Sequence, residues 1–143
     1  MNHDLLATGT TDITATPEKV WDVMTNPVII KEYLFGTETI TNWQPGSNII
    51  FQGEYNVQKY RDHGKILENI PLHKISYTYW SAFTGIEDKP ENYSTITYLI
   101  EKKADQLTTL SWIQKGYATD DGYKHSRDGM PTFMEKIKGI VER

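Results

Sequence analysis

Residues 37 to 115 alternate between apolar and polar side chains, and short turn signals separate the alternating runs. Successive side chains of a strand point to opposite faces, so this period of two is typical of strands that bury one face. The connections are too short for the crossovers that parallel strands require. We therefore expect a largely antiparallel sheet. The predicted strands in this region are 37–43, 48–55, 65–70, 75–82, 93–102 and 106–115.

The segment before this region has helix signals. Thr16 followed by Pro17 is typical of a helix start, with threonine as the N-cap and proline in the first turn. Asn26-Pro27 repeats the signal, and Gly36 is a typical helix end. We expect two short helices here, after a first strand over residues 5–14.

The last segment has a helical period. Its apolar residues recur at i, i+4, i+7 and i+8, which places them on one helix face. These residues are Phe133, Ile137, Ile140 and Val141. The helix either begins near Asp120 and is kinked at Pro131, or begins at Pro131 itself. The whole pattern predicts an α+β fold with about six to seven antiparallel strands and a C-terminal helix.

Length and charge limit the classes of protein to consider. The chain has 143 residues and a net charge of −4, with 15 Lys and Arg against 19 Asp and Glu. We expect one domain spanning residues 1–143. The acidic balance disfavours nucleic acid and anionic membranes as partners, because both require a basic surface. Neither a signal peptide nor a membrane-spanning run is recognisable, so we expect a cytoplasmic protein.

The sequence contains no pattern for a bound metal or a cofactor. It has no cysteine, which excludes thiolate ligands and thiol nucleophiles. Its four histidines, His3, His63, His73 and His125, form no metal-binding pair at helical spacing. There is no Gly-x-Ser-x-Gly elbow and no phosphate-binding glycine loop. We therefore predict no metal and no cofactor.

Aromatic residues, at 12% of the chain with nine Tyr and four Trp, are abundant. Residues of the same parity on a half-buried strand share one face, so the inner face of the predicted sheet carries many rings. This face either borders a cavity or is a filled core packed against the terminal helix. The candidate ligand-binding residues are Phe51, Gly53, Ile66, Glu68, Tyr77, Tyr79, Tyr98, Trp112 and Gln114.

Glu68 is the candidate for acid–base chemistry. It has the parity of Ile66 and Ile70, so an inward-facing strand would carry its carboxylate into the interior. Desolvation there would raise its pKa and allow it to act as a general acid or base, or to bind a ligand's hydroxyl or amine. Alternatively, Glu68 pairs with a lysine or faces water at the end of the strand.

The order of several short motifs resembles a known family. These are Thr-Pro-Glu-Lys-Val-Trp at 16–21, Trp-Gln-Pro-Gly at 43–46 and Gly-Lys-Ile-Leu-Glu at 64–68. The chain is similar, from about Thr8 to Val141, to the short single-domain bacterial form of the family named for the activator of the heat-shock-protein-90 ATPase. That family belongs to the START-like superfamily of birch-pollen-allergen-like proteins. The resemblance implies a helix-grip fold, in which a curved antiparallel sheet surrounds a long C-terminal helix and leaves a cavity between them.

Three functions remain open on this basis. The first is a binding module for a small apolar or aromatic ligand. The second is an enzyme similar to polyketide cyclases, in which Glu68 or a tyrosine would act over the cavity. The third, implied by the family resemblance, is a co-chaperone-like module that contacts a chaperone through its surface.

Overall fold

A seven-stranded antiparallel sheet forms the body of the computed structural model, which describes residues 1–143. The strands are β1 Asn2–Ile13, β2 Glu38–Ile40, β3 Asn48–Tyr55, β4 Gln58–Ile70, β5 Lys74–Tyr79, β6 Ser94–Ala104 and β7 Leu107–Tyr117. Their order in the sheet is β1-β7-β6-β5-β4-β3-β2. Strands β2 to β7 therefore follow one another as antiparallel neighbours, while β1 pairs with β7 at the far edge. The predicted α+β helix-grip fold is confirmed.

Two short helices follow β1, as predicted, and they connect it with β2 at the opposite edge of the sheet. Helix α1 spans Pro17–Thr25 and α2 spans Pro27–Tyr33. The Thr16 side chain accepts a hydrogen bond from the backbone N–H of Lys19 at 3.3 Å, and the Asn26 side chain accepts one from Val28 at 3.0 Å. Each cap satisfies a backbone donor that has no partner inside its helix.

The C-terminal helix, α3, spans Asp120–Glu142 without interruption. Thr119 caps it, since its side chain accepts a hydrogen bond from the N–H of Gly122 at 3.0 Å. The alternative start at Pro131 is therefore wrong. Pro131 lies inside the helix on its exposed side, where water can reach the carbonyl that loses its N–H partner. None of the helices is both long enough and apolar enough to span a membrane.

The core lies between α3 and the inner face of the sheet, which is the face that α3 covers. Helix α3 buries Met130, Met134, Ile137 and Val141. It approaches β1 closely at Gly9, where an added Cβ would lie 2.7 Å from the Met134 Cγ and would also overlap Met130. The glycine therefore sets how near the helix axis comes to the sheet.

Two strand boundaries differ from the predicted ones. The predicted strand 37–43 is reduced to Glu38–Ile40, because the side chains of Thr41 and Asn42 accept local backbone hydrogen bonds and Trp43 adopts a φ of +64°. The predicted strand 65–70 begins much earlier, at Gln58.

The early start of β4 follows from the turn that precedes it. Asn56 and Val57 both have positive φ, at 50° and 66°, which is the backbone of a tight type I′ hairpin between β3 and β4. Residues 62–64, Asp-His-Gly, look like a turn in the sequence. They lie in mid-strand, paired with β3.

Replacing Gly9 with alanine should destabilise the protein by about 1–3 kcal/mol, because the new methyl group forces Met130 and Met134 away from the sheet. Gly139→Ala is the matched control: it adds the same methyl group on α3 with nothing within 4 Å, and we expect it to stabilise by roughly 0.5–1 kcal/mol. Urea denaturation of both variants measures the difference. Equal changes in the free energy of unfolding would contradict the close approach of α3 to β1.

Candidate functional site

A cavity of about 500 Å³ opens on the inner face of the sheet, beside the β3–β4 hairpin. Its walls come from the chain that follows α2, from β3 to β7, and from a short 3₁₀ turn after β5. Ten of its fourteen lining residues are hydrophobic. The lining residues are Leu34, Phe35, Thr37, Phe51, Glu54, Tyr55, Tyr60, Asp62, Tyr77, Tyr79, Phe83, Ile96, Trp112 and Gln114.

None of these residues belongs to α3, which corrects the expected position of the cavity between the sheet and the C-terminal helix. The reason is the ring of Phe133 on α3. Its centroid lies 4.8 Å from that of Trp112 and 6.0 Å from that of Tyr33, both in edge-to-face geometry. These rings fill the space between helix and sheet, so the empty volume remains on the side of α2.

Five of the predicted ligand-binding residues line the cavity: Phe51, Tyr77, Tyr79, Trp112 and Gln114. The Phe51 ring lies between two of the others, with its centroid 5.7 Å from that of Tyr77 and 5.9 Å from that of Tyr79. Their places in the cavity wall follow from the strand parity that the sequence shows. Their contact with a ligand stays a prediction.

Two further candidates lie behind this wall. Tyr98 is buried and packs on Trp112 with a centroid distance of 4.5 Å, and its hydroxyl is hydrogen-bonded to that of Tyr77. Ile66 is 1% exposed and belongs to the core. Both residues support the cavity wall without reaching its surface.

Gly53 makes room for a tyrosine of the protein itself. An added Cβ at Gly53 would lie 2.6 Å from the hydroxyl oxygen of Tyr60, its partner across β3 and β4. That hydroxyl is hydrogen-bonded to the Thr37 hydroxyl at 2.5 Å. The glycine thus allows the Tyr60 ring to connect the hairpin with the segment after α2.

Of the two alternatives for Glu68, the inward-facing carboxylate is wrong and the pairing with a lysine is the one observed. The Glu68 side chain is 49% exposed and pairs with Lys74 at 3.0 Å. The register of β4 against β5 shifts by one residue between Ile66 and Glu68, so the strand has an irregularity at this point. A one-residue shift reverses which face a side chain occupies, and Glu68 therefore loses the parity of Ile66.

The carboxylate inside the cavity is Asp62 instead. Its residue is 7% exposed, and the Tyr79 hydroxyl donates a hydrogen bond to its Oδ2 at 2.5 Å. Burial raises the pKa of the Asp62 carboxyl, and the hydrogen bonds of Tyr79 and Ser81 and the charge of His63 oppose this only in part. Burial and the adjacent Asp62 charge raise the pKa of Tyr79 well above its usual range, so Tyr79 remains a hydroxyl donor at neutral pH.

Nine lining residues are absent from the predicted set. They are Leu34, Phe35, Thr37, Glu54, Tyr55, Tyr60, Asp62, Phe83 and Ile96. Three of them have a readable signal: Tyr60 and Asp62 share the parity of Gly64 and Ile66 once β4 is extended toward its N-terminus, and Ile96 shares the parity of Tyr98 on β6. The others lie in connections or near the hairpin end, where strand parity carries no information.

The outer face of the same strands holds a second, polar cavity of about 450 Å³. His63 Nε2 lies 3.0 Å from Asp88 Oδ2, and the Tyr93 hydroxyl donates a hydrogen bond to the same carboxylate. These contacts attach the connection between β5 and β6 to β4. Partial desolvation, followed by the hydrogen bond to Asp88 and the Asp88 charge, raises the pKa of Tyr93 to about 12. No group of three His, Asp or Glu side chains is placed to hold a metal ion.

The comparisons with known proteins agree with this architecture. A family model described as "Activator of Hsp90 ATPase homolog 1-like protein" matches residues 14–142. The chain is similar to ChR145 from Cytophaga hutchinsonii, with 36% identity over 99% of this chain and 97% of that one and a TM-score of 0.83. No curated protein matches the chain.

More distant structures share the fold. MLL2253 from Mesorhizobium loti has 22% identity over 96% of this chain and 97% of that one, with a TM-score of 0.76. An HSP90 activator from Plasmodium falciparum has 16% identity over 96% of each chain and a TM-score of 0.72.

The stability of Asp62→Asn relative to the native protein should increase as the pH rises from 4 to 7. The quantity compared is the difference between their free energies of unfolding. The folded state raises the pKa of Asp62 above its usual 3.8, so it binds more protons than the unfolded state over this range. Native stability therefore falls as the pH rises through the folded pKa, whereas asparagine does not titrate. Denaturant unfolding of both proteins at pH 4 and pH 7 measures the difference.

Glu68→Gln is the control for this experiment, because it removes one carboxylate from the exposed surface. We expect its unfolding free energy to stay within about 0.5 kcal/mol of the native value at both pH values. A difference between Asp62→Asn and the native protein that does not change with pH would contradict the raised pKa.

Proposed function

Because the chain belongs to the activator of Hsp90 ATPase homolog 1-like family, we propose that it binds a small, largely aromatic molecule in the cavity beside the β3–β4 hairpin. The observation that carries this proposal is the cavity itself: about 500 Å³ of space with mainly hydrophobic walls. Cavities of roughly 300–1,000 Å³ with apolar walls and few polar groups are typical of small-molecule sites.

The residues around the cavity also favour a ligand. Phe35 is 82% exposed, Tyr55 63% and Phe83 54%, although all three are large and apolar. Clustered exposed rings of this kind are typical of binding surfaces. A bound aromatic molecule would remove part of their area from water, at about 25 cal/mol per Å².

The polar groups of the cavity are few and fixed in position. The Tyr77 hydroxyl is held by Tyr98, and the Tyr79 hydroxyl by Asp62. Burial raises the pKa of Tyr77, so this group also stays protonated at neutral pH. Such groups can orient a ligand without requiring any rearrangement of the wall.

A chaperone-related interaction is the second candidate, because the matching family model bears that description. This second candidate differs from the first because it does not require an empty cavity. A protein partner contacts the surface, so binding of a chaperone should not depend on empty volume inside the cavity. A small ligand, in contrast, competes directly with any side chain that fills it.

Ile96→Trp should abolish binding of N-phenyl-1-naphthylamine, a neutral dye whose fluorescence rises in apolar surroundings. Ile96 lines the cavity and is 4% exposed, so the larger ring occupies ligand space. We expect dye affinity to fall by about tenfold or more, which corresponds to a loss of roughly 1.4 kcal/mol. Fluorescence titration of the native protein and the variant measures it.

Leu99→Trp is the matched control, because Leu99 lies on the same strand, is 38% exposed and does not line the cavity. It should bind the dye like the native protein. Phe83→Ser, at an exposed lining position, should weaken dye binding without changing the fold. It tests the same site even if Ile96→Trp fails to fold. Undiminished dye binding in folded Ile96→Trp and Phe83→Ser would refute the proposed site. Retention of Hsp90 by Ile96→Trp would instead support the chaperone candidate.

A further inference from the structure

The charges of the cavity indicate which class of ligand it accepts. Two of the fourteen lining residues, Glu54 and Asp62, have carboxylate side chains. No lysine, arginine or histidine lines the cavity. We propose that its ligand is an aromatic molecule with a protonated amine, which pairs with the Asp62 carboxylate. This inference rests on the proposed function and names the ligand class of the same site.

Asp62 has no cationic partner among lysines and arginines. None of the ion pairs in the protein includes it, whereas the carboxylates of Glu32, Glu68 and Glu142 all pair with a lysine or an arginine. A buried carboxylate without such a partner is unfavourable. Burial is the main cause that raises its pKa, and the neighbouring His63, which pairs with Asp88, offsets this only in part. A ligand ammonium group would provide the missing positive charge.

The position of Asp62 on its strand directs it into the cavity. It lies opposite Phe51 in the pairing of β3 with β4, and both residues line the cavity. Tyr79 donates to Oδ2 alone, and a carboxylate has about four acceptor positions. A carboxylate held in this way can accept further hydrogen bonds from an ammonium group, which has up to three donors.

Aromatic rings line the same cavity as this carboxylate. The Phe51 ring contacts those of Tyr77 and Tyr79, and all three line the cavity with Asp62. The faces of such rings attract cations when the charge lies within about 6 Å of the centroid. A carboxylate beside several rings therefore favours an amine on an aromatic framework over a neutral molecule of the same shape.

The same arrangement disfavours an anionic ligand. A carboxylate or phosphate in the cavity would face Asp62 and Glu54 without a basic residue in the wall. The ammonium group of Lys136 lies 4.3 Å from the ring centroid of Phe35, but Lys136 does not line the cavity. The electrostatics thus distinguish cationic from anionic ligands of equal size.

Three probes that share one ring system test this inference: 1-naphthylmethylamine, 1-naphthalenemethanol and 1-naphthoate. Their affinities are measured by displacement of N-phenyl-1-naphthylamine from the native protein at pH 7. We expect the amine to bind at least about tenfold more tightly than the alcohol, because the ammonium group forms an ion pair with Asp62 and gains a coulombic attraction that the neutral alcohol lacks. The naphthoate should bind most weakly.

Asp62→Asn keeps the shape of the side chain and removes its charge. In this variant the amine should bind within about twofold of the alcohol, because the charge that distinguishes between the two probes is gone. Glu68→Gln is the matched control, because it removes the same unit of charge outside the cavity. It should preserve the native preference for the amine.

The outcomes separate this inference from the proposed function. Equal binding of amine and alcohol by the native protein, or an unchanged preference in Asp62→Asn, would overturn the amine assignment while leaving a small-molecule site in place. Tighter binding of the naphthoate would overturn it as well. Failure of the dye and of all three probes to bind would refute the proposed function itself.

Discussion

A continuous stack of aromatic rings determines which part of the interior is packed and which part is a cavity. Tyr77 packs edge-on against Tyr98 at a centroid distance of 5.6 Å, Tyr98 lies 4.5 Å from Trp112, and Trp112 lies 4.8 Å from Phe133 of α3. Rigid rings in such geometries contribute about 0.5–1.5 kcal/mol per pair beyond the area they bury. The stack connects sheet and helix without a gap, so the remaining cavity lies on the other side of Tyr77 and Trp112, under the end of α2.

The register of β4 decides which carboxylate enters that cavity. From Asp62 to Ile66 the even-numbered residues of the strand are buried. The shift between Ile66 and Glu68 ends this parity, so Glu68 emerges at the surface, where Lys74 neutralises it. Because of this one irregularity, Glu68 forms an exposed ion pair while Asp62, on the same strand, is buried.

Local signals in the sequence predicted most of the elements, whereas the cavity depends on contacts between distant residues. The caps at Thr16 and Asn26 and the alternation of the strands are visible in short windows. The start of β4 is not, because its type I′ turn places Val57 at positive φ, where β-branched residues are rare. The Tyr60 ring over Gly53 and the Phe133 ring on Trp112 join segments that no periodicity relates.

The buried carboxylate of Asp62 is unfavourable for the stability of the folded chain, although it lies in the wall of the candidate site. Its neighbours on the inner face of β4, Gly64 and Ile66, are buried without a charge. An uncharged side chain at position 62 would avoid the desolvation that raises the pKa of the carboxyl. Sites where a chain departs from its most stable choice are expected to be functional, since the opposing benefit appears only when a partner binds. The buried acid among aromatic rings is such a departure, and an ammonium group is the partner that would relieve it.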